Sequence, residues 1–90
     1  MYMITNLGRV TTRMTEVDIH GMERSDAKRF LERTLASLPP SEQELRVIHG
    51  YSGGNVLQTL VRKGLSSKRI KQRVIGLNPG VTSLMLGGDL

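Results

Sequence analysis

The segment His49-Gly50-Tyr51-Ser52-Gly53-Gly54 decides the fold, because it joins two segments of different periodicity. Before it, the apolar run Leu45-Arg46-Val47-Ile48 is typical of a buried strand, and after it Val56–Val61 has the apolar spacing of a helix. A strand that enters a helix through a glycine-rich turn directs backbone N–H groups and the positive helix end at one point. This arrangement favours the binding of a phosphate group.

An earlier segment, Val17-Asp18-Ile19-His20-Gly21, partly repeats this pattern: a short apolar strand again ends in His-Gly before a helix. Two strands joined through one helix are parallel, with a right-handed crossover. We therefore expect both His-Gly turns at the same edge of the sheet, where open α/β sheets bind their ligands.

The helix between these strands is the clearest element in the sequence. Its apolar residues recur at the spacing of one helical face, at positions 27, 30, 31, 35 and 38. Ser25 is the predicted N-cap, and Pro39-Pro40 ends the helix. For the second helix, Asn55 is the predicted N-cap and Gly64 the residue just beyond its end.

Two more strands complete the predicted fold: residues 68–75, which alternate basic and apolar side chains, and Val81–Leu86. The turn Asn78-Pro79-Gly80 joins them. The order predicts an α/β fold, a two-layer βαβαββ sandwich with a four-stranded mixed sheet. We expect residues 1–15 to form a flexible N-terminal arm, with an edge strand near residues 4–10, and residues 16–90 to form the domain.

Composition narrows the class of protein. Ninety residues suffice for one small core, and the chain has no cysteine for a disulfide or thiolate metal site. No apolar run approaches the roughly 20 residues that span a bilayer, and the N-terminus lacks a signal-peptide pattern. We therefore expect a cytoplasmic monomer without membrane contact. Three aromatic residues are too few for a base-stacking platform.

The basic residues are unevenly placed along the chain. Residues 1–49 carry equal numbers of basic and acidic side chains, so the net charge of +5 comes from the segment after the glycine turn. Such a cluster is typical of a polyanion-binding surface, although an ordinary solvated basic face is an alternative. The candidate phosphate-binding side chains are Arg62, Lys63, Lys68, Arg69, Lys71 and Arg73.

Asp18 and His20 share one face of their strand, because successive side chains alternate. The aspartate can fix the tautomer of the histidine, or the two can share a metal ion. Together, His20 and His49 could act as general base and general acid on a phosphodiester. One carboxylate is too few for a typical two-metal nuclease, so no cofactor is assigned and the participation of one Mg²⁺ ion stays open.

These features also have structural alternatives. A histidine after a strand often hydrogen-bonds locally, an aspartate at a strand end often caps the next turn, and glycines can serve a tight turn through positive φ. The functional interpretation depends on their convergence at one sheet edge.

The two His-Gly segments resemble the motifs of the Smr (small MutS-related) domain family, Leu-Asp-x-His and His-Gly-x-Gly-x-Gly. The resemblance extends from about Glu16 to Leu86. It implies a fold similar to the C-terminal domain of a bacterial translation initiation factor, nucleic-acid binding and, in several members, endonuclease activity on DNA or RNA.

By this resemblance, Asp18 and His20 are the catalytic pair, with His49 in the second motif. The phosphate-binding turn comprises Gly50, Tyr51, Ser52, Gly53 and Gly54. Ser52 stands where the family motif has glycine, which changes the turn and bears more on catalysis than on binding.

Three functions are consistent with these residues. The first is a structure-selective endonuclease, and the second is a non-catalytic adaptor that binds DNA or RNA, for example on the ribosome. The third, less favoured, is an enzyme that acts on a small phosphorylated molecule. The altered turn favours the adaptor, and the intact Asp-x-His segment favours the nuclease.

Overall fold

The computed structural model describes residues 2–3, 13–50 and 55–87. Its elements, in chain order, are β1 (Tyr2–Met3), β2 (Met14–Asp18), α1 (Arg24–Ser37), β3 (Glu44–Ile48), α2 (Val56–Thr59), a π-helical turn (Leu60–Gly64), β4 (Ile70–Ile75) and β5 (Val81–Leu86). The predicted strand at residues 4–10 lies outside this range, as do residues 51–54 of the glycine turn and the chain end at 88–90.

The strands form one sheet in the order β1-β2-β3-β5-β4. Strand β2 pairs in parallel with β3, whereas β5 is antiparallel to both β3 and β4. The predicted mixed sheet of four core strands is therefore confirmed. The short β1 adds an antiparallel edge next to β2. Since β2 begins at Met14, the first core strand starts earlier than the sequence pattern indicated and ends at Asp18.

Alternation along the strands separates a covered face of the sheet from an open one. Thr15, Val17, Leu45, Val47 and Leu84 point to the covered face, where each is at most 2% exposed. They pack with the buried face of α1, which includes Ala27, Leu31 and Leu35. The opposite face carries Glu16, Asp18, Arg46, Ile48, Val81 and Ser83. This arrangement has the two layers that the sequence predicts.

Helix α1 begins one residue before its predicted cap. Glu23, not Ser25, is the N-cap: its backbone is extended (φ −72°, ψ 152°), and its carbonyl accepts the N–H of Ala27 at 2.9 Å. Its side chain makes no capping hydrogen bond. The predicted end is confirmed, because Leu38 is the C-cap and Pro39 follows it.

The second helix changes character after one turn. Asn55 is its N-cap but makes no side-chain capping bond, and after Thr59 the backbone widens into the π-helical turn. Gly64 is the last residue of that turn and has no positive φ, so its prediction as the residue just beyond the helix was wrong. A Cβ at Gly64 would lie 3.1 Å from Nη2 of Arg24 and from Cδ1 of Leu60, which is tighter than ordinary van der Waals contact.

Two arginines of the basic segment hold the ends of helices. Arg69 donates to the carbonyls of Leu35 (2.8 Å), Leu38 (2.5 Å) and Pro39 (2.7 Å), where α1 ends. Arg73 donates to the carbonyls of Val61 (2.9 Å) and Leu65 (3.1 Å) around the π-helical turn. A cation suits these positions because the last carbonyls of a helix lack partners and carry partial negative charge.

Arg69→Met should therefore destabilise the domain. The variant keeps an apolar stem but removes the donors to three carbonyls, and hydrogen bonds to charged groups support a loss of about 2 kcal/mol. In a domain of this size that corresponds to a melting temperature lower by about 8–16 °C. The matched control is Lys68→Met at the exposed neighbouring residue, which should leave the melting temperature within about 2 °C of wild type. Equal melting temperatures for the two variants would contradict this role of Arg69.

Candidate active site and nucleic-acid interface

Asp18 and His20 form a hydrogen-bonded pair where β2 enters the turn to α1. The Oδ1 atom of Asp18 lies 2.6 Å from Nδ1 of His20 and also accepts the backbone N–H of His20 at 3.0 Å. Gly21 follows with φ +84°, a left-handed conformation that favours glycine and turns the chain away. The His20 side chain is 70% exposed and that of Asp18 50%, so the pair is accessible from solvent.

These contacts determine what the pair can do. The hydrogen bonds from the ring and backbone of His20 lower the pKa of Asp18, so its carboxylate is charged at neutral pH. A carboxylate oxygen can accept only, and therefore Nδ1 of His20 carries the shared proton. The other ring nitrogen, Nε2, is then the basic one when the ring is neutral. An exposed imidazole oriented by a carboxylate can act as a general base or acid.

His49 has a different environment, although it directly follows the neighbouring parallel strand β3. The residue is 3% exposed. Its Nδ1 lies 2.8 Å from the carbonyl oxygen of Gly50, and its Nε2 lies 2.9 Å from Oγ1 of Thr82. Arg62 donates from Nε to the same threonine oxygen at 3.0 Å. Both ring nitrogens of His49 are thus engaged within the protein.

Burial also determines the charge of His49. Desolvation lowers its pKa most, and the neighbouring Arg62 charge lowers it further, against the hydrogen bond to Gly50, which raises it. His49 is therefore neutral at physiological pH. Its predicted part in proton transfer stays a prediction, and the contacts described here link it to the backbone beneath His20.

Gly50 connects the two His-Gly turns. Its φ of +76° lies in the left-handed region, and a Cβ at this position would lie 3.4 Å from Cβ of His20. The N–H groups of His49 and Gly50 both donate to the carbonyl of Gly80, at 2.8 and 3.0 Å. The sequence-predicted meeting of the turns at one sheet edge is present in the structure. The other predicted members of the glycine turn, Tyr51, Ser52, Gly53 and Gly54, lie outside the described residues.

A hollow on the open face of the sheet borders the Asp18–His20 pair. Asp18 is paired in register with Ile48, and Ile48 with Val81, and both apolar residues line the hollow. Its volume is about 430 Å³, and its wall also includes Glu16, Arg46, Val74, Leu77, Asn78 and Ser83. The surface next to the pair therefore combines aliphatic contact with one positive and one negative side chain.

The six predicted phosphate-binding residues fall into two groups that differ in exposure. Arg62, Arg69 and Arg73 are partly buried and donate to groups of the protein itself, as described above. Lys63, Lys68 and Lys71 are exposed. Since β4 runs parallel to β3, Lys68 and Lys71 lie level with the amino end of β3, about 22 Å from the Asp18–His20 pair, from the length of a five-residue strand and three strand spacings across the sheet. Lys68 and Lys71 therefore do not form one compact cluster with the pair.

Thr82 is the site residue that sequence reasoning missed. It is fully buried, 0% exposed, and its hydroxyl joins Arg62 to His49. Its position in a strand that alternates polar and apolar residues is a usable signal, because a threonine that shares a face with Leu84 must find a hydrogen-bond partner in the core.

Two further findings concern metal binding and membrane-spanning helices. Among the residues that the structure describes, no group of three or more His, Asp or Glu side chains lies close enough to hold a metal ion. Within the same residues, every helix is too short or too polar to cross a bilayer.

The lowered pKa of His49 predicts a pH-dependent stability. The unfolded chain binds a proton on this histidine as the pH falls below about 6.5, whereas the folded chain resists protonation. Acidification from pH 7.5 to 5.5 should therefore lower the free energy of unfolding, measured by urea titration. The full contribution of neutral His49 to stability should return above the pKa that this histidine has in the unfolded chain.

Variants of the two histidines show which of them causes the pH dependence of stability. His20→Gln should keep the pH dependence, and His49→Gln should flatten it. This interval lies above the titration of Asp18 and Glu32, whose pKa values are lowered by their hydrogen bonds. Constant wild-type stability across the interval would show that His49 does not resist protonation.

Comparisons with known proteins agree with this architecture. A model of the Smr domain family matches residues 17–80. The Smr domain of Thermus thermophilus MutS2, known from a crystal structure, superposes with a TM-score of 0.63 at 23% identity, covering 79% of this chain and 95% of that one. At this identity, the superposition shows a shared fold. No curated protein sequence gives a significant match. Since the family match covers most of the chain and includes Asp18, His20 and His49, the chain belongs to the Smr domain family, which is known for nucleic-acid binding and nuclease-related roles.

Proposed function

We propose that this Smr domain is a structure-selective endonuclease that cleaves a phosphodiester bond with the Asp18–His20 pair. The observation that carries the proposal is the exposed His20 ring, whose Nδ1 lies 2.6 Å from the Asp18 carboxylate. This geometry orients Nε2 as a proton acceptor beside a surface that nucleic acid can reach. Family membership supports nucleic acid as the polymer.

In the proposed reaction, Nε2 of His20 takes the proton of the attacking hydroxyl, from a water molecule or a ribose 2′-OH. The oxygen forms a bond to phosphorus as the bond from phosphorus to the leaving oxygen breaks. The leaving oxygen then takes a proton from the histidinium or from water, so the protons balance. The charged Asp18 stabilises the histidinium during the step, as a carboxylate does in other Asp–His pairs.

The hollow beside the pair supports selectivity for unpaired or distorted structure. Its aliphatic wall at Ile48 and Val81 suits the face of a base, and Arg46 and Ser83 offer hydrogen-bonding groups. A base can enter such a hollow after it leaves the stack, which costs least at a mismatch, a junction or a single strand.

Lys68 and Lys71 serve, in this proposal, as distant phosphate contacts. Their separation from the pair equals about six to seven nucleotide steps along one strand of duplex. They contribute binding energy that is the same in the ground state and the transition state, so they affect affinity more than the chemical step.

His20→Ala should greatly reduce cleavage while leaving binding nearly unchanged. Loss of a general base lowers the rate by about 10²–10⁴-fold, measured on end-labelled structured DNA and RNA under single-turnover conditions. The variant should bind the same substrates within about two-fold of wild type, since an exposed imidazole contributes little to electrostatic binding. Asp18→Asn should also lose cleavage, because it no longer fixes the histidine tautomer.

Glu23→Gln provides the matched control for these variants. It removes an exposed carboxylate from the same turn without altering the pair and should retain wild-type cleavage. Parallel reactions with Mg²⁺ and with EDTA then decide whether a metal ion takes part. If wild type gives no product on any substrate but still shifts nucleic acid in a salt-dependent way, the adaptor function replaces the nuclease.

Lys63→Gln, Lys68→Gln and Lys71→Gln should each weaken binding to all sequences alike. Each phosphate contact that is lost should reduce the slope of log K against log salt by about 0.9 on duplex DNA. Fluorescence anisotropy of a labelled duplex between 50 and 200 mM salt measures both quantities. Lys28→Gln is the control, because Lys28 already pairs with Glu32 at 2.8 Å. Cleavage rates at saturation should stay at the wild-type value in all four variants.

A further inference from the structure

The hydrogen bonds around His49 allow one consistent arrangement of protons. The guanidinium of Arg62 can donate only, so the oxygen of Thr82 accepts from it. A carbonyl can accept only, so Nδ1 of His49 carries the proton that faces Gly50. The hydroxyl of Thr82 is then left to donate to the unprotonated Nε2 at 2.9 Å. The result is a directed chain from Arg62 through Thr82 and His49 to Gly50.

The far end of this chain lies against His20. Gly50 is held by its carbonyl through His49 and by its N–H through the carbonyl of Gly80 at 3.0 Å. Its Cα faces Cβ of His20, since an added Cβ would stand 3.4 Å from that atom. A rotation of the Gly50 peptide would therefore move the surface on which His20 rests.

We infer that Thr82 and Arg62 are positioning residues, which hold His49 in its Nδ1–H tautomer and thereby fix Gly50 beneath the reactive imidazole of His20. This inference rests on the proposed function for the role of His20. It gives the buried histidine of the second motif a task that needs no contact with substrate. It also explains why Arg62, within the basic segment, donates inward.

The threonine is suited to this role by both of its substituents. Its methyl group lies on the covered face of the sheet, which is packed with apolar side chains, and its hydroxyl accepts one hydrogen bond while donating another. Valine has the same shape but would leave Nε2 of His49 and Nε of Arg62 without their partner. Serine retains the hydroxyl but lacks the methyl group, so comparing the two variants distinguishes the effect of the hydrogen bonds from the effect of side-chain shape.

The test compares Thr82→Val with Thr82→Ser. The chain has two histidines, so a long-range ¹H–¹⁵N spectrum reports the tautomer of each ring directly. Wild type and Thr82→Ser should show the Nδ1–H form of His49, and Thr82→Val should show a mixture with the Nε2–H form. The ring signals of His20 should also shift in Thr82→Val. In single-turnover cleavage, this variant should lose about 10–100-fold in rate with unchanged substrate affinity, as expected for a misplaced reactive group.

Thr34→Val controls for a general loss of stability. Thr34 is buried, and its hydroxyl donates to the carbonyl of Phe30 at 2.8 Å within α1, far along the chain from the site. The control should lose stability without changing either histidine spectrum or the cleavage rate. If Thr82→Val does not fold, Arg62→Met removes the first donor instead and should weaken the tautomer preference of His49.

The outcomes separate this inference from the proposed function. An unchanged His49 tautomer, or a changed tautomer with His20 signals and cleavage as in wild type, would overturn the positioning role while leaving the nuclease intact. If wild type does not cleave, the proposed function fails, and the coupling between Thr82 and His20 is still decided by the spectra.

Discussion

The parallel register of β2 and β3 is the constraint on which the candidate site depends. Asp18 is level with Ile48, and the N–H of Ile19 continues the ladder by donating to the carbonyl of Ile48 at 2.8 Å. The two histidines are consequently offset by one residue in the register, because His20 is opposite Gly50 and His49 is opposite Ile19. Because side chains alternate between faces, this offset places one histidine on the open side and the other in the core. Two similar segments thereby acquire different chemical environments.

This difference separates a reactive group from a supporting one. His20 is exposed and oriented by a carboxylate, so its second nitrogen is available to a ligand. The buried His49 is kept neutral by desolvation, and both of its nitrogens are used inside the protein. A neutral imidazole is suited to the core because it can donate on one side and accept on the other without carrying charge. The two roles would be lost together if the register shifted by one residue.

Much of the fold was predictable because the pattern of apolar residues agrees with the tertiary structure. Helix α1 buries the predicted Ala27, Leu31 and Leu35 and partly buries Phe30, and the order of strands and helices along the chain follows from the alternation of short apolar runs with helical segments. The errors concern the ends of helices: Glu23 rather than Ser25 is the N-cap of α1, and Gly64 is the last residue of a π-helical turn rather than the residue beyond it. The exposed Asp–His pair was predictable from spacing, whereas the burial of His49 required the strand register, which a single sequence does not encode locally.

The basic segment shows why charge along a sequence is an incomplete guide to a binding surface. Its three arginines donate to carbonyls and to a buried hydroxyl, because a guanidinium has several directed donors and a long apolar stem. Its lysines, with a compact and strongly hydrated charge, stay exposed. The arginines therefore stabilise the helix ends and the region around His49, and the lysines account for the charge that a polyanion can reach. Since two of these lysines lie at the sheet edge opposite Asp18, a nucleic acid that contacts both regions must extend along the length of the strands, and this separation makes affinity and cleavage independently variable.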